Sequence, residues 1–70
     1  MDANLLRSKM ALKGHKDIDL ARVLGIASSA VSKKLRQDIK MSQIDIQKII
    51  NEYALTPEET TAIFFTESLS

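Results

Sequence analysis

The sequence contains no cysteine, no tryptophan and a single histidine, His15. Without cysteine, neither a disulfide nor a thiolate metal site can supplement the core, and the composition fits a reducing compartment. One histidine cannot build a zinc cluster or a catalytic triad. We therefore expect no metal site and no cofactor, and we expect His15 to lie in an exposed turn.

Long apolar runs are missing as well. No stretch approaches the roughly 20 apolar residues of a membrane span, and residues 1–10 (MDANLLRSKM) lack the apolar run of a signal peptide. Neither a nucleophile–base pair nor a glycine-rich phosphate loop occurs. These absences predict a cytoplasmic protein that is not an enzyme and does not bind a membrane.

Glycine and proline are scarce, with two and one respectively, and no segment alternates with a period of two. Leucine, isoleucine, alanine, lysine and glutamate dominate, which favours helix throughout. The 70 residues are enough for one small domain spanning residues 1–70. The predicted fold class is all-α, with five helices.

Capping residues and glycines predict where the helices begin and end. Asp2 is expected to cap a first helix that runs to Lys13, before Gly14, and Asp17 is expected to cap a second that ends at Gly25. Ser28 or Ser29 is expected to cap a third helix that ends near Arg36. Ser42 with Asp45 predicts the start of a fourth helix, and Thr56, Pro57 and Glu59 predict a fifth that ends near Thr66.

Apolar spacing predicts the buried side of each helix. The inward positions are expected to be Ala3, Leu6 and Met10 with Leu5 and Leu12 beside them, then Ile18, Ala21 and Leu24 with Leu20 and Val23, then Ala30 or Val31 with Leu35, then Ile46, Ile49, Ile50 and Tyr53, and finally Ile63 with one of two phenylalanines.

Charge is unevenly distributed although the net charge is only +1. Residues 1–40 carry nine Lys or Arg against four Asp, whereas residues 41–70 carry one Lys against five Asp or Glu. Such asymmetry indicates that one side of the protein binds a polyanion. Segregation by chance in a small helical protein is the competing interpretation.

Two short helices separated by about three residues around Gly25 indicate a helix-turn-helix over residues 17–36. Ala21 is small where the helices approach, and Gly25 can adopt a positive φ. The segment IDLARVLGIASSAVSKKLR (residues 18–36) resembles the helix-turn-helix of the phage repressor and Cro family in its Ala21, Gly25 and Val31. One helix before it, a capped helix after it and a final LTPEETTAIFF segment resemble small lysis–lysogeny regulators of phages of low-GC Gram-positive bacteria.

The resemblance implies a lambda-repressor-like domain in the bacterial cytoplasm, associated with the nucleoid, whose third helix reads operator bases in the major groove. The implied base-contacting residues are Ala27, Ser28, Ser29, Ser32 and Lys33. The implied phosphate-contacting residues are Lys16, Lys34, Arg36, Lys40, Ser42 and Gln43. Asp17 departs from the family, since many relatives have glutamine there and a carboxylate repels phosphate.

Partners follow from the same resemblance. Double-stranded DNA with a palindromic operator is the expected target, and a homodimer is expected to form on it. Phe64 and Phe65 are adjacent on one helix and cannot both be buried equally well, so one of them is expected to lie on a dimer or partner interface. The alternative function is that of a modulator or antirepressor that binds a partner phage repressor instead of reading DNA alone.

Overall fold

A computed structural model describes residues 1–37 and 39–65. Over these residues the chain forms five α-helices and no strand, which confirms the all-α prediction. The helices are α1 (Ala3–Leu12), α2 (Asp17–Leu24), α3 (Ser28–Leu35), α4 (Gln43–Tyr53) and α5 (Pro57–Phe64). Helix α2 packs against α3 and α4, and α1 packs against α5.

Three helices begin where their capping residues predict. The Asp2 side chain accepts a hydrogen bond from the Leu5 N–H at 3.0 Å. Ser42 accepts from the Asp45 N–H, and Asp45 accepts in return from the Ser42 N–H, which completes the predicted capping box. Thr56 and Glu59 form the same reciprocal pair at the start of α5. The predicted end of α5 was too late, since the helix stops at Phe64; Thr66 itself lies outside the described residues.

The predicted caps of α2 and α3 were wrong. Asp17 is the first residue of α2, not its cap, and the Asp19 carboxylate accepts the N–H of Lys16 at 2.8 Å instead. This hydrogen bond is the main reason that the pKa of Asp19 is lowered, with nearby cations contributing. Helix α3 is preceded by Ala27 in an extended conformation, and it has no side-chain cap. The serines at positions 28 and 29 are therefore inside the helix.

Gly25 ends α2 in the left-handed conformation, with φ +71°. Its N–H and that of Ile26 both donate to the carbonyl oxygen of Ala21. A Cβ atom at position 25 would meet no atom within 4 Å, so glycine is favoured there by the backbone angle and not by lack of space for a Cβ. The short connection to α3 depends on this angle.

Within the described part of the chain, one cluster of buried residues forms the core. Its members are Leu6, Met10, Leu20, Ala21, Leu24, Val31, Leu35, Ile49, Tyr53, Leu55 and Ile63. Most core residues belong to the predicted buried stripes. Leu12 and Ile18 were also predicted to lie at or beside these stripes, but they are 81% and 54% exposed. In α2 the buried side is centred on Leu20, Ala21 and Leu24, so Ile18 falls on the outer side. Ile46 and Ile50 are only partly buried.

His15 is not the exposed turn residue that was predicted. Its Nδ1 lies 3.0 Å from the hydroxyl oxygen of Tyr53, and the two rings meet edge to face. Beside them the Lys13 ammonium contacts both the carboxylate and the backbone carbonyl of Glu52. The Lys13 contact lowers the pKa of Glu52. This group of residues ties the turn after α1 to the end of α4.

The first prediction compares two leucines of different burial. Leu20→Ala should lower the free energy of unfolding by about 2–4 kcal/mol, since Leu20 is fully buried. Leu12→Ala makes the same chemical change at an exposed site and should cost under about 0.5 kcal/mol. Urea unfolding followed by circular dichroism measures both. Equal losses in the two variants would contradict the buried face assigned to α2.

The second prediction concerns the only tyrosine of a chain that lacks tryptophan. Burial, with smaller contributions from the charges of Glu52 and Asp19, raises the pKa of Tyr53 to about 12. Tyrosinate absorbance should therefore rise with a midpoint near 12 in the folded protein and near 10.0 in urea. Because the folded pKa is the higher one, stability should be intact below pH 10.0 and should fall as the pH rises through this interval. A midpoint near 10.0 in the folded protein would show that Tyr53 is not buried.

Candidate nucleic-acid interface

Helices α2 and α3 pack against each other through a compact set of apolar residues. Leu20, Ala21 and Leu24 are buried on α2, and Val31 and Leu35 are buried on α3. Ala21 is only 5% exposed, and its small side chain lets the two helices approach closely. Only residues 25–27 separate the helices. The orientation of the outer face of α3 is thus fixed by packing on its inner face.

Most of the predicted base-contacting residues are exposed on α3 or just before it. Ala27, Ser28, Ser29 and Lys33 are exposed, and Ser29 and Lys33 are four positions apart on one side of the helix. Three of the four lie in the first turn or just before it. Ser29 and Lys33 therefore share one exposed side of α3, and Ala27 and Ser28 are exposed at its N-terminal end.

Ser32 is placed differently from the other predicted base-contacting residues. It is partly buried, and its hydroxyl donates to the Asp17 carboxylate at 3.2 Å. The second oxygen of that carboxylate accepts from the Arg7 guanidinium at 2.9 Å. The Ser32 hydroxyl is therefore engaged inside the chain, between α2 and α3.

Arg7 was not among the predicted site residues. It reaches Asp17 across ten positions of sequence, from α1 to the start of α2. The i,i+3 and i,i+4 spacings that reveal pairs within a helix do not apply to such a contact. The one signal in the sequence was the presence of a carboxylate at position 17, where the family resemblance leads one to expect glutamine.

Lys34, a predicted phosphate-contacting residue, is held inside the fold. Its ammonium lies 2.8 Å from the Asp45 carboxylate, and the two side chains are only 13% and 12% exposed. Burial raises the pKa of Asp45, but the hydrogen bonds from Lys34 and Ser42 outweigh burial, and the net pKa is lowered. The pair joins the end of α3 to the start of α4.

The other predicted phosphate-contacting residues are exposed. They are Lys16, Arg36, Lys40, Ser42 and Gln43. Lys16 precedes α2 and Gln43 is the first residue of α4, so both stand at helix N-termini, where backbone N–H groups and the helix dipole favour anions. The structure thus supplies accessible cationic or polar groups at the start of α2, at the end of α3 and before α4.

The two phenylalanines differ in burial, as predicted. Phe64 is partly buried against the core, whereas Phe65 is 47% exposed. Both line a groove of about 530 Å³ together with Met1, Met41 and Ile46, and Lys34 and Lys40 also line it. A role of this groove in dimer or partner contact stays a prediction.

Comparison with known proteins found no matching family model, curated protein or solved structure. Within residues 1–37 and 39–65, no three His, Asp or Glu side chains are grouped so that they could hold a metal ion. Among these residues, no helix has the length and apolarity required to cross a membrane.

The third prediction tests the Lys34–Asp45 pair. Lys34→Met should lower the free energy of unfolding by about 2 kcal/mol near neutral pH, because it leaves a buried carboxylate without its cation. Folding lowers the pKa of Asp45 from its ordinary value of 3.8. The stabilisation by the pair should therefore be present above pH 3.8 and should be lost as the pH falls from 3.8 through the lowered pKa. Urea unfolding of the wild type and the variant at several pH values measures this difference.

Lys33→Met is the matched control, since it removes a cation from an exposed neighbouring position of the same helix. It should change stability by less than about 0.5 kcal/mol at every pH. A difference between wild type and Lys34→Met that does not shrink in acid would contradict the pairing.

Proposed function

We propose that this protein is a sequence-specific double-stranded DNA-binding regulator of transcription, in which residues 17–36 act as a helix-turn-helix. The observation that carries the proposal is the two-sided character of α3. Val31 and Leu35 pack inward, Ser29 and Lys33 are exposed on the opposite side of the helix, and Ala27 and Ser28 are exposed at its N-terminal end. A recognition helix requires this division, because its buried side fixes the angle at which its other side enters the major groove.

Each of the exposed residues fits a specific kind of base contact. Lys33 can donate to O6 and N7 of guanine, and the serine hydroxyls can donate or accept at either kind of base pair. Ala27 fits against a thymine methyl group. Serine discriminates less strongly than arginine or glutamine, so the proposed readout depends most on Lys33. Ser32 is left out of the proposed base-contacting set because its hydroxyl donates a hydrogen bond to the Asp17 carboxylate.

Phosphate contacts would position α3 on the duplex. Lys16, Arg36, Lys40, Ser42 and Gln43 are all exposed and lie before or after the two helices. Such contacts fix register and carry no sequence information. Lys34 is left out of this set because its ammonium is bound to Asp45.

A dimer on a palindromic operator completes the proposal. Three short side chains and one lysine supply few base contacts for one subunit, so tight binding would require two subunits on two half-sites. The groove at Phe64 and Phe65 is the surface we propose for this contact. Repression by occupation of a promoter is the expected regulatory outcome.

A second candidate function is favoured by the same groove. An apolar groove with the exposed Lys40 in its lining suits a protein partner, and the partner expected here is a phage repressor that the chain would modulate. The two functions differ in a simple result. A modulator would bind purified repressor without retaining any duplex by itself.

The fourth prediction tests DNA binding and its readout. Selection from a pool of randomised duplexes should enrich a palindromic sequence, and binding to it should weaken steeply with salt through counterion release. Lys33→Ala combined with Ser29→Ala should lower affinity for the selected duplex by about 1–3 kcal/mol and relax the preference at particular base pairs. Fluorescence anisotropy at several salt concentrations measures affinity, and footprinting measures the site.

Leu12→Ala is a control, since it changes an exposed residue of α1 outside the proposed surface. It should leave affinity and sequence preference unchanged. Failure to enrich any duplex would overturn the proposed function. An unchanged preference in the Lys33 and Ser29 variant would overturn the assignment of these residues while leaving DNA binding in place.

A further inference from the structure

The Asp17 carboxylate connects three helices at the edge of the proposed DNA-binding surface. One of its oxygens accepts from Arg7 on α1 at 2.9 Å, and the other accepts from Ser32 on α3 at 3.2 Å. Because both oxygens belong to one carboxylate, the guanidinium of Arg7 is held beside the recognition helix of the proposed function. Asp17 is itself the first residue of α2.

We infer that Arg7 is a phosphate-binding residue of this surface and that Asp17 positions its guanidinium there. The inference rests on the proposed function. It assigns to the DNA-binding surface a residue of α1, a helix that lies outside the two-helix motif.

The donor geometry of Arg7 suits this role. A guanidinium has five N–H donors in a planar fork, and the bond from Nη1 to Asp17 uses one of them. The Arg7 side chain remains 48% exposed, so solvent, or an anion in its place, can reach the rest of the fork. Arginine held in this way can bind a phosphate through two parallel hydrogen bonds.

The charges nearby also favour the inference. A carboxylate at the start of α2 would by itself repel a phosphate that approaches the helix N-terminus. Arg7 compensates that charge at 2.9 Å, and Lys16 adds a further cation at the preceding position. The other carboxylate of this turn, Asp19, is turned to the Lys16 N–H. The Arg22 guanidinium lies 3.9 Å from Asp19, so a phosphate here would meet three cations, Arg7, Lys16 and Arg22, against the carboxylates of Asp17 and Asp19.

The experiment compares four variants on two probes, the duplex enriched by selection and a duplex of scrambled sequence. The variants are Arg7→Ala, Arg7→Lys, Arg7→Ala with Asp17→Asn, and Lys13→Gln. Lys13→Gln is the matched control, because it removes one cation from the far end of α1, where Lys13 is paired with Glu52. Circular dichroism and urea unfolding establish that each variant is folded at the temperature used.

Arg7→Ala should weaken binding about 5-fold on both duplexes, because a phosphate contact carries no sequence information. A plot of log affinity against log salt has a negative slope, and Arg7→Ala should make this slope shallower by about 0.9 for each bound subunit. Arg7→Lys should keep the slope and lose part of the affinity, since it preserves the charge without the fork. Lys13→Gln should match the wild type.

The double variant separates a phosphate ligand from a residue that only neutralises Asp17. If Arg7 binds phosphate, Arg7→Ala with Asp17→Asn should stay weaker than the wild type and keep the reduced slope. Recovery of wild-type affinity and slope would overturn the inference, as would an Arg7→Ala variant that behaves like Lys13→Gln. A wild-type protein that retains neither duplex would remove the proposed function, and this inference with it. Loss confined to the Arg7 variants would leave the proposed function standing.

Discussion

The packing of α2 against α3 and α4 is the constraint on which the rest of the structure depends. Leu20, Ala21 and Leu24 form its centre, and Gly25 turns the chain so that α3 returns across them. With a core of this size, the chain cannot tolerate much loss at these positions. The outer face of α3 is exposed and oriented only because the inner face is packed. Any function of the outer face therefore depends on α2.

Helix boundaries could be predicted where they depend on local chemistry. The caps at Asp2, Ser42 and Thr56 are hydrogen bonds within four residues, and sequence spacing alone identifies them. The expected caps of α2 and α3 were wrong because several nearby residues have suitable chemistry and spacing alone does not select among them. Asp17 and Ser28 have the right chemistry for capping, but the chain uses Asp19 at one site and no side chain at the other.

Burial was harder to predict than helix position. The spacing in α2 predicted Ile18 on the inward face with Leu20 beside it, but packing against α3 and α4 buries Leu20 and leaves Ile18 exposed. Contacts between distant residues gave no signal in the spacing. Arg7 with Asp17, Lys34 with Asp45 and His15 with Tyr53 each join different parts of the chain. The Lys34–Asp45 pair removes Lys34 from the expected contact residues, and the hydrogen bond from Ser32 to Asp17 removes Ser32. The same Asp17 carboxylate holds Arg7 beside α3.

The excess of cations in residues 1–40 acquires a more specific meaning in the structure. Lys9 pairs with Glu59 on α5, and Lys13 pairs with Glu52 on α4, so part of the asymmetry serves to join the two halves of the fold. Lys16, Lys33 and Lys40 remain exposed on or beside the helices of the proposed site. A polyanion-binding function therefore depends on these few positions and not on the overall excess. Because Ala27, Ser28 and Ser29 are small, phosphate contacts and dimer formation would have to supply most of the affinity in the proposed function, and Lys33 would supply most of the selectivity.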